Sequence, residues 1–170
     1  MSEATKVFSS KQEKMVADVL GGYPIGGSGA FAGAPGDVKT YDWLVECKTH
    51  TEPDQNIFFD LAVWKKIENE AMAMHRRPVL IVDDGSQKEN KTWCLCRASN
   101  INLSAIISVD LPIKIRKNIT CKHDKLVESL NANSKRYLGQ FYEAAVYAAE
   151  WDNEEVVICP LTTFKELFEK

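Results

Sequence analysis

The sequence predicts an α/β fold, and three observations predict it. Residues 37–41 and 43–49 read as a pair of short strands, with Val38 and Trp43-Leu44-Val45 supplying the apolar positions. A helical pattern at 57–75 follows, and then the unbroken apolar run Val79-Leu80-Ile81-Val82. A strand, a long helix and a buried strand in that order form a strand–helix–strand unit, whose strands pair in parallel. The third observation is the chain's size and composition. At 170 residues, 45% apolar and 26% charged, it fits one domain, 1–170, with a sizeable core.

The elements follow in order. Ser9 or Ser10 caps a helix over 11–20, where Met15, Val16, Val19 and Leu20 recur at helical spacing and Gly21-Gly22 ends it. Residues 24–36 form a glycine-rich loop whose amides suit an anion; no Gly-Lys-Ser/Thr follows, so it is not a Walker loop. A turn at Tyr41-Asp42-Trp43 joins the two strands. Phe58, Leu61, Trp64, Ile67, Ala71 and Met74 give the helix at 57–75 a broad apolar face. Residues 93–97 read as a strand, and 100–109 as helix or strand, with a short helix near 103–107 favoured. Residues 112–117, alternating apolar and basic, suit an edge strand. A helix spans 126–150 with an interruption near 131–134, a strand covers 156–158, and a terminal helix starts at Thr162 or Thr163 after Pro160. Phe58, Phe59, Trp64, Phe141, Tyr142 and Tyr147 lie at helical spacing and read as core or dimer interface.

The residues that carry chemistry are Asp37, Glu46 and Lys48. On a strand, Glu46 and Lys48 share a face and Cys47 takes the other. The turn folds Asp37 back beside them. Two carboxylates and an ammonium then converge, which suits a divalent cation such as Mg²⁺ and a phosphate.

That constellation resembles the PD-(D/E)XK nuclease superfamily, the restriction-endonuclease-like fold: an acid (Asp37), a spacer, then acid-X-Lys (Glu46-Cys47-Lys48) on the next strand. The surrounding order is similar to Holliday-junction resolvases of the archaeal and phage type. A helix carrying Glu13 comes first, Gly27-Ser28-Gly29 leads to the acid, and a long helix and buried strand follow Lys48. The resemblance covers about residues 10–84; the segment after 85 is longer than a minimal resolvase needs. Gly36 stands where the superfamily's nominal proline precedes the acid, with Pro35 one place earlier.

The resemblance implies a central mixed β-sheet flanked by helices, a homodimer, and Mg²⁺- or Mn²⁺-dependent nicking of DNA at four-way junctions. Glu13, Asp37, Glu46 and Lys48 take the catalytic positions. Asp37 and Glu46 are the metal ligands, with the Cys47 carbonyl as a further one and Glu13 acting through water. Ser28 is a DNA contact beside the site. Lys65, Lys66, Arg76, Arg77, Lys114, Arg116 and Lys117 are candidate phosphate contacts, each also explicable as solvated surface. The alternatives are a restriction or repair nuclease acting on linear duplex, and a nuclease-fold DNA-binding accessory protein that does not cut.

The remaining features bound the setting. The net charge of −3 disfavours a protein that coats nucleic acid non-specifically, although residues 111–140 are rich in Lys and Arg. The Cys count of 5 is odd and irregularly spaced, so reduced thiols are expected. Cys94, Cys96, Cys121 and His123 could supply four zinc ligands, but the spacing is not a common one, and one buried strand face also explains the C-x-C pair. No apolar run suits a signal peptide or a membrane span, so a cytoplasmic location is expected, the host's if the chain is viral.

Overall fold

Helix α1, Glu3–Leu20, opens a computed structural model that describes residues 3–26, 35–101, 107–109, 117–134 and 145–168. The helix starts well before the expected cap, leaving Ser9 and Ser10 in its interior. Its first half is tied down when Gln87 donates Nε2–H to the Phe8 carbonyl at 2.7 Å. Its end is as expected. Gly21 takes φ +64°, and the Gly22 amide returns to the Ala17 carbonyl at 2.9 Å.

Strands β1 (Tyr23–Pro24), β2 (Val38–Lys39) and β3 (Trp43–Lys48) form an antiparallel meander. Its second turn is locked by Thr40, whose amide donates to the Trp43 carbonyl and whose Oγ1 accepts from the Trp43 amide, both at 3.0 Å. Asn56–Phe59 is a strand, β4, and not the first turn of the following helix as the spacing suggested. It alternates exposed and buried positions and pairs with β8 further on, so ladder bonds decide its conformation. Helix α2 therefore begins at Leu61 and runs to Ala73, capped by Asp60 Oδ1, which accepts the Ala62 and Val63 amides.

Strand β5 (Arg77–Asp83) lies parallel to β3, with Lys48 opposite Val82, as expected for the strand–helix–strand unit. Strand β6 (Thr92–Arg97) follows antiparallel after a turn at Gly85. The later elements are β7 (Ile107–Val109), β8 (Ile119–Lys122), α3 (His123–Ser134), β9 (Ala145–Trp151), β10 (Glu154–Pro160) and α4 (Leu161–Phe168). The long helix expected over 126–150 is thus corrected: α3 stops at Ser134 and the chain returns as β9. Ala145 to Glu150 has helix-forming composition, but its backbone pairs with β10 on one side and β7 on the other. Tyr147 therefore lies on a strand; Phe141 and Tyr142 lie outside the described residues. Of the short helix expected near 103–107, residue 107 belongs to β7 and the rest lies outside the described residues, as do 112–116 of the expected edge strand.

The main sheet is mixed, with strand order β1-β2-β3-β5-β6-β10-β9-β7, and β4 and β8 form a separate pair. Alternation along the strands sorts the core into two layers. Trp43, Val45, Val79, Ile81, Val157 and Cys159 pack with α1 and α4. Leu44, Leu80, Val82, Trp93, Val156 and Ile158 pack with α2, α3 and the β4–β8 pair. The result is an α/β sheet flanked by helices. Among the described residues no helix is long and apolar enough to cross a membrane.

Candidate functional site

Three elements bring Glu13, Asp37, Glu46 and Lys48 together. Glu46 and Lys48 share the α2-facing side of β3, and Lys48 Nζ lies 2.6 Å from Glu46 Oε1. Glu46 is buried, whereas the Lys48 side chain is about half exposed. Asp37 is held against the same strand at both ends of its residue. Its amide donates to the Val45 carbonyl at 2.7 Å, and its Oδ2 accepts the Cys47 amide at 2.8 Å. Cys47 points the other way, into the core, where burial pushes its thiol well above the ordinary range. Its carbonyl lies 3.3 Å from Lys48 Nζ.

Glu13 approaches from α1. Its carboxyl is raised above the ordinary carboxylate range by burial first, then by the negative charge of Asp37, with Glu46 adding to this and Lys48 partly offsetting it. The carboxylates therefore sense one another across three elements. Beside it, Gln12 is fully buried and donates Nε2–H to the Lys48 carbonyl at 2.9 Å, while its Oε1 has no hydrogen-bond partner. Gln12 was not singled out from the sequence, but a signal existed. Gln12, Val16 and Leu20 lie at i, i+4 and i+8, so the amide sits on the buried stripe.

Helix α2 adds two further groups. Lys66 Nζ is 3.2 Å from Glu46 Oε2 and 3.6 Å from Glu70 Oε1. Burial by itself would lower the Lys66 ammonium; the Glu46 carboxylate outweighs it and raises its pKa. Both oxygens of Glu46 thus face an ammonium. Glu70 Oε2 accepts the Gly36 amide at 3.0 Å, fixing the residue before Asp37. Gly36 has φ +63°, and a Cβ there would lie 2.9 Å from Leu44 Cγ and 3.0 Å from the Val45 carbonyl oxygen. A proline could neither adopt that φ nor donate to Glu70, which accounts for glycine at this position.

The other candidate contacts lie elsewhere. Lys65 pairs with Asp152 at 2.7 Å. Arg76 donates to the Tyr41 carbonyl at 2.7 Å, and the Arg77 guanidinium lies 5.6 Å from the Trp43 ring centroid. Arg77 faces Trp43 in the β3–β5 register, at the end of the strands away from Lys48, so Arg77 sits roughly 10 Å along the strands from Glu46 and roughly 17 Å from Lys48. Lys117 is exposed. Ser28, Lys114 and Arg116 lie outside the described residues.

The oxygen-only donor set fits a hard cation such as Mg²⁺ or Mn²⁺, and the mutual repulsion that raises Glu13 is what such an ion relieves. Among the described residues no group of three His, Cys, Asp or Glu side chains is arranged to hold a metal by itself. Mg²⁺ commonly uses one or two carboxylates and keeps waters for the rest. Zinc at the cysteines does not fit. Cys94 and Cys96 are buried in the layer facing α1 and α4, while Cys121 packs in the other layer and His123 Nδ1 lies 3.1 Å from Trp93 Nε1. All five cysteines are free.

Comparison of the chain with family models, with curated proteins and with solved structures finds no match.

Proposed function

We propose that this chain is a metal-dependent endonuclease of the restriction-endonuclease-like fold that nicks DNA at four-way junctions as a homodimer. The observation that carries the reading is the convergence of Glu13, Asp37, Glu46 and Lys48 from α1, the loop before β2, and β3. Support for the fold comes from the order of elements: a helix, an antiparallel meander, a helix, and a strand parallel to β3.

A bound Mg²⁺ would supply a more acidic water and charge neutralisation at the phosphate. Asp37 and Glu46, with the Cys47 carbonyl, would hold that ion, and Glu13 would contribute through water. Asp37 is pre-set for this because the Cys47 amide fixes one of its oxygens. Lys48 orients the attacking water or stabilises charge developing on the phosphate, a role its half-exposed ammonium permits. Gln12 fixes the Lys48 backbone and so the reach of that ammonium. Lys66, close to Glu46 and half exposed, provides a second positive charge for the DNA backbone. A dimer suits the substrate, since paired nicks across a two-fold symmetric junction need two sites.

One observation favours a second reading, a nuclease-fold DNA-binding protein that does not cut: both Glu46 oxygens are engaged by ammonium groups. One experiment separates these readings. A labelled four-way junction and a matched linear duplex are incubated with the protein in Mg²⁺ or EDTA. Paired symmetric nicks in the junction alone, dependent on Mg²⁺, are expected. Equal cutting of the duplex would favour a linear-DNA nuclease. Tight binding without cutting, in Mg²⁺ and in Mn²⁺, would favour the second reading.

A further inference from the structure

Beyond the carboxyl ends of β3 and β5 the fold leaves a cavity of about 230 Å³. The space past the carboxyl ends of parallel strands is where open α/β sheets receive ligands. Leu80 and Val82 of β5 and Val63 of α2 give it an apolar floor, and Phe58 of β4 forms a wall. Phe58 is 38% exposed, whereas its neighbours Ile57 and Phe59 are buried in the core. Its ring is therefore partly open to a ligand.

Polar groups also line this slot: Lys48, Thr49, His50, Asp60 and Asp83. Lys48 lines it and also touches Glu46, so the cavity is continuous with the acid cluster. Asp83, almost fully buried, is part of its lining. Asp83 Oδ1 accepts from Thr49 Oγ1 at 2.6 Å and from the Gly85 amide at 2.8 Å, but its Oδ2 has no hydrogen-bond partner. That oxygen is itself enclosed, so Asp83 braces Thr49 and the Gly85 turn at the end of the slot.

We propose that this cavity receives an unstacked nucleobase from the nucleotide next to the phosphate held at Lys48. The inference rests on the nuclease reading and adds a determinant of cleavage-site choice to it. The apolar walls accept the base's faces, and Phe58 stacks on one of them. An enzyme that reads a base this way takes it out of the helical stack and surrounds it with apolar and aromatic side chains.

The test uses the full chain and four-way junctions carrying 2-aminopurine at each position flanking the nicked phosphates, bound in Ca²⁺. The expected result is a fluorescence rise of about threefold or more at one position only, as the base leaves the stack. Val63→Trp, which fills the cavity, should remove that rise. Phe58→Ala, at an exposed position and so safe for folding, should alter it by at least half. No rise at any position on a junction that is bound and nicked would overturn the cavity assignment alone. So would a rise indifferent to both Val63→Trp and Phe58→Ala. A chain that nicks no DNA would overturn the nuclease reading, and the cavity assignment with it.

Discussion

Lys66 and Glu46 meet across the interface of α2 and β3, with the ammonium 3.2 Å from a carboxylate that is only 5% exposed. Lys48 reaches the other oxygen of the same carboxylate at 2.6 Å. A cation binding Glu46 must compete with both. Lys66→Met is therefore expected to tighten Mn²⁺ binding, measured by calorimetry, by about three- to tenfold. At the same time it should weaken junction binding at low salt. An unchanged Mn²⁺ affinity would show that Lys66 does not contend for the site.

Asp37 and Glu46 are expected to dominate activity. Asp37→Asn keeps an oxygen acceptor for the Cys47 amide, so the strand pair should survive while the charge is lost. Nicking of a junction should fall by about 10²–10⁴-fold for Asp37→Asn and for Glu46→Gln, with junction binding retained. Either variant cutting like the wild type would sink the catalytic assignment.

Glu13 gives a pH signature. Its folded carboxyl is raised by burial and by Asp37, so between its ordinary pKa and the raised value the folded state binds more protons than the unfolded state. Stability attributable to Glu13 is therefore present at low pH and declines as pH rises through that window. Glu13→Gln should raise the melting temperature at neutral pH by on the order of a degree or two, small because the group is partly solvated. The gain should vanish below the carboxylate range. If Glu13 serves the reaction, the same variant loses nicking. A melting temperature that drops at neutral pH would contradict the repulsion inferred here.

Gly36 is the hinge between the loop and the site. At φ +63°, with Leu44 and Val45 in contact range of any Cβ, Gly36→Ala should lower unfolding stability in urea by about 1–3 kcal/mol. Gly36→Pro should cost more, since it also removes the amide that Glu70 accepts. An alanine variant as stable as wild type would mean that the loop has another acceptable path.

The strand–helix–strand unit was legible because both of its signals are local and strong. The run Val79-Leu80-Ile81-Val82 is buried on both faces, and α2 carries a wide apolar stripe. The Glu46-Cys47-Lys48 alternation needed only strand geometry. The misassigned segments share one cause. At Ile57–Phe59 the apolar spacing, and at Ala145–Trp151 the composition, suit a helix, yet pairing with strands distant in sequence supplies backbone hydrogen bonds that the local pattern cannot outweigh. Lys66 and Glu70 lie at i,i+4 spacing, and nothing local says that β3 and Gly36 lie beneath them.

The sequence by itself determined the α/β class, the parallel pair, the end of α1 at Gly21, and which residues of β3 share a face, because each depends on neighbours within a few positions. The tertiary structure alone decided that Gln12 grips the Lys48 backbone, that Lys66 contests Glu46, that Glu70 sets the Gly36 turn, and that a cavity opens beside Lys48. Those relationships join residues far apart in the chain. They exist only once α1 and α2 have docked on opposite faces of the same sheet, and no periodicity along the chain encodes that docking.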